Sequence, residues 1–195
     1  WGIMATGTIA AKFADTVMKM GGEEQLTACG SRSLEKAEGF AGRYGIRHGY
    51  GSYEALAADP EVDAVYIATP NNLHFDNCRL CLDAGKHVLC EKPFTTSADE
   101  ARRLFGMAKE KGLYLCVAPD LFLGSAWQCA RELIDRGMIG EVTSVLASIN
   151  QNVGDICEMF GFVNEPGGGI AYDFGIYLIS AMVHLLGPVE SVCGM

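Results

Sequence analysis

Positive charge is in short supply in this chain. Fifteen lysines and arginines stand against 24 aspartates and glutamates, a formal net charge of −9 over 195 residues. That balance argues against nucleic acid or an anionic membrane surface as the main partner, since either needs a basic face. Proline is scarce as well, at six, while 24 glycines are scattered along the chain. That pattern fits many tight strand–helix turns and not low complexity or disorder. No apolar run approaches the length needed to span a bilayer, and no charged n-region with an apolar core precedes the first strand, so a cytoplasmic setting is the default. Cysteine is not scarce, with eight at 29, 78, 81, 90, 116, 129, 157 and 193, but a second pair near Cys78-x-x-Cys81 is missing. The thiols therefore read as reduced core residues, and no metal site is expected.

What the chain does have is 49% hydrophobic content, ample for a packed core, arranged as alternating strand-like and helix-like runs. Trp1 to Ala5 reads as a strand with a clipped start, and Thr8 to about Met20 as a helix with Ile9, Phe13, Val17 and Met20 on one face. A strand over Gln25 to Gly30 follows, then a helix capped by Ser33 and closed by Gly45. His48 to Tyr50 and Val62 to Ala68 read as strands around a short helix that Asp59-Pro60 ends. A helix from about His74 to Ala84 stops at Gly85, and a helix capped by Thr95 or Ser97 stops at Gly112. Between them Val88, Leu89 and Cys90 form a buried strand, and Leu113 to Ala118 forms another. Repetition of strand and helix predicts a doubly wound, parallel α/β sheet over residues 1–118.

The architecture changes after Pro119. A helix over Ser125 to Arg136 is followed by Val142 to Ile149, which alternates apolar with Thr and Ser as a one-face-wetted strand does. Asn150 to Asn164 reads as a loop or irregular helix, Ile170 to Leu186 as one helix after Gly167-Gly168-Gly169, and Val189 to Cys193 as the opening of a strand. Residues 119–195 thus read as the start of a second, substrate-binding or oligomerisation domain, and the chain as a fragment of a longer protein.

Lys92 is the strongest candidate for chemistry. The strand before it ends because Pro93 cannot donate into a ladder, which leaves Lys92 at the carboxyl edge of the sheet, where open α/β sheets bind ligands. The turn Ala5-Thr6-Gly7-Thr8-Ile9-Ala10 fits G-x-G-x-x-G/A only with alanine at its first and last glycine positions. Gly7, with Thr8 and Ile9 behind it, lets a pyrophosphate approach the N-terminus of the helix. On this motif alone, a turn that binds nothing is an equal reading. After the second strand, Ser31-Arg32-Ser33 stands where an NAD site usually has an acid. A guanidinium and hydroxyls suit a 2′-phosphate and favour NADP over NAD, against the alternative of an ordinary exposed arginine. Thr69, Pro70, Asn71 and Asn72 with His74 offer polar groups at the same edge, although the two asparagines also read as turn and cap residues. In the second half Asp173 and Tyr177 are four apart in the expected helix, hence on one face. His184 reads as packing or capping.

These stretches resemble a known family. Trp1-Gly2-Ile3 through Gly7-Thr8-Ile9-Ala10, Tyr66-Ile67-Ala68-Thr69-Pro70-Asn71-Asn72-Leu73-His74, and Ala84-Gly85-Lys86-His87-Val88-Leu89-Cys90-Glu91-Lys92-Pro93 are similar to the glucose–fructose oxidoreductase, inositol dehydrogenase and MocA family. Ile139-Gly140-Glu141-Val142 and Asp173-Phe174-Gly175-Ile176-Tyr177 agree with it. The resemblance implies an N-terminal Rossmann domain and a C-terminal α/β domain with a mainly antiparallel sheet that often forms the oligomer interface. It also implies NADP- or NAD-dependent hydride transfer to or from a sugar, polyol or diol, with Lys92 catalytic and Glu91 beside the cofactor. Tyrosine at 177, where many relatives carry histidine, looks like the dihydrodiol and xylose dehydrogenase branch. On that basis Tyr177 exchanges a proton with the substrate oxygen, Lys92 favours the phenolate and holds the oxygen, and Asp173 orients the substrate or Lys92; with the roles exchanged, Lys92 itself is the proton carrier. A nucleotide-sensing regulatory protein without catalysis is the alternative, and it would need neither Lys92 nor Tyr177.

Overall fold

The computed structural model describes residues 1–118, 121–150, 154, 161–165 and 167–194. They divide into two compact units, Trp1–Ala118 and Pro119–Met195. In the first, six short strands pair in parallel: β1 (Gly2–Met4), β2 (Ala28–Gly30), β3 (His48–Tyr50), β4 (Ala64–Ile67), β5 (His87–Cys90) and β6 (Leu115–Val117). Their spatial order is β3-β2-β1-β4-β5-β6. The chain winds outward from β1 to β3 and then returns to place β4 against β1, so the direction of winding reverses between these two strands. A reversal of that kind opens a crevice at the carboxyl ends of the strands, because the helices leaving them pack on opposite faces.

The helices of this unit are α1 (Thr8–Met20), α2 (Leu34–Tyr44), α3 (Tyr53–Ala57), α4 (His74–Asp83) and α5 (Ala98–Lys111). Serine starts three of them. The hydroxyls of Ser33, Ser52 and Ser97 accept from the N–H groups of Lys36, Ala55 and Glu100, so of the two candidate caps for α5 it is Ser97 that serves. Each such cap contributes on the order of 1 kcal/mol.

Alternation along the strands builds two cores. Met4, Ala28, Val65 and Ile67 face Leu56, Cys78, Cys81, Leu82 and Leu104 from α3, α4 and α5. Their neighbours Ile3, Cys29 and Tyr66 point to the other side, against Ala10, Ala14, Ala37, Phe40 and Tyr44 of α1 and α2. At the amino end of β5, Lys86 is 9% exposed, and its ammonium donates to the carbonyls of Asp59 at 2.7 Å and Val62 at 2.6 Å. This buried cation anchors the loop between α3 and β4.

The second unit contains α6 (Ser125–Asp135), α7 (Ile170–Asp173) and α8 (Gly175–Leu186). It departs from the sequence expectation in three places. Residues 142–149 and 189–193 join no ladder among the described residues, and Leu146 is 99% exposed. Alternating hydrophobicity says which face a strand would bury, but a strand exists only as a pairing, and no described segment pairs with these. The single helix expected over Ile170 to Leu186 is two, interrupted at Phe174 (φ −113°, ψ −35°). The interruption falls beside Gly175, where helix is cheapest to break, glycine costing about 1 kcal/mol relative to alanine. Most of the stretch from 150 to 164 lies outside the described residues.

Replacing Lys86 by methionine keeps the length of the side chain but leaves two buried carbonyls without their charged donor. Lys86→Met is expected to lower the unfolding free energy by about 2 kcal/mol in urea denaturation, whereas Lys12→Met on the exposed side of α1 changes it by less than about 0.5 kcal/mol.

Candidate active site

Four consecutive strands of the sheet, β2, β1, β4 and β5, deliver candidate residues to one edge. Ser31 follows β2, Gly7 lies just past β1, Thr69 just past β4, and Glu91 and Lys92 follow β5. At about 4.8 Å between neighbouring strands, the four exits span roughly 14 Å, the scale of an extended dinucleotide.

The first turn is open. Gly7 is the N-cap of α1 without a side-chain cap bond, no acidic residue occupies the first helical turn, and a Cβ built on Gly7 would meet nothing within 4 Å. Thr8 and Ile9 are exposed. The unpaired N–H groups of that turn are free to face an anion, which fits a pyrophosphate. Ala5, in the place of the motif's first glycine, has φ 81°, a left-handed backbone that favours glycine. Its N–H donates to the carbonyl of Gly30 at 2.9 Å, tying the exit of β1 to the end of β2.

Beside it, Ser31 is 8% exposed; its N–H donates to the Tyr50 carbonyl at 2.9 Å and its hydroxyl accepts from the Ser33 N–H at 3.4 Å. Arg32 is exposed. Burial raises the pKa of the Tyr53 phenol, and the charge of the Arg32 guanidinium acts against that shift. Tyr53 escaped the sequence reading because a tyrosine opening a short helix carries no motif.

The turn after β4 is tied down from within. Thr69 is 6% exposed and its hydroxyl oxygen accepts from the Asn77 amide at 2.9 Å. Asn71 is buried and Asn72 exposed in a single helical turn, Asn71–Leu73, with Pro70 before it. His74, expected at the cofactor surface, is fully buried instead. Its Nε2 lies 2.8 Å from the Thr69 carbonyl and its Nδ1 2.8 Å from that of Pro93. A carbonyl lies against each ring nitrogen, so the neutral ring donates its one N–H to one of them while the other carbonyl covers the second nitrogen; His74 thus sits between the turn after β4 and the turn after β5, with neither nitrogen open to a ligand. Burial pulls its pKa below the ordinary histidine value, with the two carbonyls and the Glu91 carboxylate acting in opposition.

Glu91 and Lys92 are half-buried. One Glu91 oxygen accepts from the Tyr66 hydroxyl at 2.5 Å and the other from the Lys92 N–H at 3.1 Å. From sequence, Tyr66 reads as part of a strand and of a family-like stretch, with no role of its own. In the second unit Asp173 is the last residue of α7 and Tyr177 lies in the first turn of α8, its N–H donating to the Phe174 carbonyl at 3.1 Å. The two therefore flank a helix break and do not share the face of one continuous helix. The Cys78-x-x-Cys81 pair is core: burial pushes the Cys81 thiol up to about 12, and among the described residues no His, Cys, Asp and Glu cluster could hold a metal.

Comparison with known proteins agrees with this geometry. Residues 1–118 match the family model described as an oxidoreductase family with an NAD-binding Rossmann fold, and residues 127–195 match the GFO/IDH/MocA C-terminal domain. The chain belongs to the GFO/IDH/MocA oxidoreductase family. It is 36% identical over 188 residues to trans-1,2-dihydrobenzene-1,2-diol dehydrogenase of Mus musculus, covering 96% of this chain and 56% of that protein. It is 38% identical over 201 residues to the NADP(+) D-xylose 1-dehydrogenase of Hypocrea jecorina, covering 91% and 50%. Among solved structures, a 3-ketoreductase from Actinomadura kijaniata in complex with TDP-benzene and NADP superposes with a TM-score of 0.76 at 32% identity, over 95% of this chain and 55% of that one. The chain spans about half the length of the relatives it matches. Its first unit has the NAD-binding Rossmann fold that this family model describes. No helix among the described residues is long and apolar enough to cross a membrane.

Because His74 is buried with a lowered pKa, the unfolded chain takes up that proton first as pH falls. Stability is therefore expected to decline below about pH 6.5, with a slope from this one group of at most about 1.4 kcal/mol per pH unit. Urea midpoints of His74→Gln should show a shallower acid limb than those of the parent between pH 7 and pH 5.

Proposed function

We propose that this protein is an NADP-preferring oxidoreductase acting on the CH–OH or carbonyl group of a sugar, polyol or diol. The observation that carries the proposal is the placement of Lys92 at the carboxyl end of β5, one strand from the winding reversal, on the same edge as the uncapped N-terminus of α1. The names of the relatives, a dihydrodiol dehydrogenase, a xylose dehydrogenase and a ketoreductase, support this substrate class.

Gly7, Thr8 and Ile9 would hold the pyrophosphate on the N–H groups of α1. Ser31 and Arg32 would hold the 2′-phosphate, since a guanidinium forms paired, charge-assisted hydrogen bonds with phosphate. Thr69, Pro70, Asn71 and Asn72 with Glu91 would line the path toward Lys92. When bound, the nicotinamide supplies or accepts the hydride. Tyr177 exchanges a proton with the substrate oxygen, Lys92 holds that oxygen and stabilises charge on it, and Asp173 orients the substrate or the lysine. Residues 1–118 act as the cofactor domain and 119–195 as part of the substrate and self-association domain.

Titration with NADPH and NADH separately tests the first half of the proposal: NADPH is expected to bind more tightly, with Arg32→Ala removing most of the difference. Binding of neither cofactor would overturn the dehydrogenase reading, and a preference for NADH would overturn the role of Arg32. In a screen over xylose, inositols and diols, Tyr177→Phe and Lys92→Ala should each slow turnover by about 10² to 10⁴ while leaving NADPH affinity within a few fold. A variant that keeps near-normal turnover removes its residue from the mechanism.

A further inference from the structure

Tyr66 connects the two halves of this site. It lies in β4, is 4% exposed, and faces the side of the sheet covered by α1. Its ring stacks on Phe13 of α1 with centroids 3.9 Å apart and planes 13° from parallel, and Phe13 in turn meets Trp1 edge-on at 5.5 Å. Its hydroxyl donates to Glu91 at 2.5 Å, and the other oxygen of the same carboxylate accepts from the backbone N–H of Lys92. A hydroxyl that donates to a carboxylate makes a charge-assisted hydrogen bond. A phenylalanine at 66 would fill the same core volume and make the same stack, so packing alone does not require the hydroxyl. The hydroxyl instead fixes a carboxylate that would otherwise rotate about three side-chain torsions, and that carboxylate holds the first backbone group of the Lys92 turn.

We propose that Tyr66 is a positioning residue, which transmits the placement of α1, the helix offered to the cofactor pyrophosphate, through Glu91 to the turn that carries Lys92. The inference rests on the function proposed above. Anion binding at the start of α1 pulls on a helix whose second turn is stacked against Tyr66; the hydroxyl relays that shift to Glu91, and Glu91 to the Lys92 N–H.

The test uses the full chain, labelled with ¹⁵N, and NADPH as the probe. In the parent, the amide resonances of Glu91 and Lys92 are expected to shift on NADPH binding. In Tyr66→Phe, NADPH is expected to bind within about threefold of the parent while those two resonances lose most of their shift, and turnover to fall about tenfold with the KM for NADPH unchanged. A merely structural tyrosine would change stability and leave the cofactor-dependent shift at Lys92 intact, and that result overturns the proposal. Should Tyr66→Phe fail to unfold cooperatively, Phe13→Leu breaks the stack and keeps the hydroxyl bond; it is expected to reduce the same shifts, and parent-like shifts in it overturn the relay. A parent chain that binds no NADPH overturns the proposed function and the relay together, whereas a parent that binds and a Tyr66→Phe that matches it at Lys92 overturns the relay alone.

Discussion

The pairing of β1 with β4 is the contact on which the rest of the first unit depends. Its register sets Ile3 beside Tyr66 and Met4 beside Ile67. It is also where the winding reverses, so the turns leaving β1 and β4 diverge to opposite faces and leave a crevice between them. Past the ladder, the N–H of Ala68 donates to the Met4 carbonyl at 3.0 Å, and Thr69 follows. A one-residue slip would exchange the faces of every side chain in β4 and turn Tyr66 away from α1 and Glu91. The geometry of the site and the packing of the sheet are consequently one problem, solved by the same few backbone hydrogen bonds.

Around this contact the unit spends its buried polar groups on holding turns in place. His74 braces the Thr69 and Pro93 carbonyls, Asn77 holds the Thr69 hydroxyl, Glu91 gathers Tyr66 and the Lys92 N–H, and Lys86 anchors the α3–β4 loop at the opposite end of the sheet. Burying such groups is costly unless each finds a partner. The partners here are mostly backbone carbonyls of loops, whose positions apolar packing does not fix. The exposed residues at the same edge include Gly7, Thr8, Ile9, Arg32 and Asn72.

Much of the first unit could be read directly because its signals are local. Serine caps, glycine stops and short apolar runs each act within a few residues, and the strand and helix order they predict over 1–118 is the one observed. His74 shows where that reading runs out. A histidine in a polar loop at a ligand-binding edge looks like a ligand contact, and only the approach of Pro93, nineteen residues away, shows that both its nitrogens are taken. Tyr66 is the converse case, since a tyrosine inside an apolar strand reads as core until Glu91 is found against its hydroxyl. In the second unit, alternation over 142–149 and the helical period over 170–186 were both visible, but the first needs a pairing partner and the second is interrupted beside Gly175.

By itself, then, the sequence determined the parallel α/β class of the first unit, the position of Lys92 at a strand end, and the absence of an acid after the second strand, because each follows from residue type and spacing within one segment. Only the tertiary structure decided which polar side chains face outward and which are spent on the fold. It decided as well that Asp173 and Tyr177 flank a helix break, and that Tyr66 joins α1 to the Lys92 turn. Those outcomes depend on contacts between segments far apart in the chain, and nothing in the local pattern of any one segment specifies them.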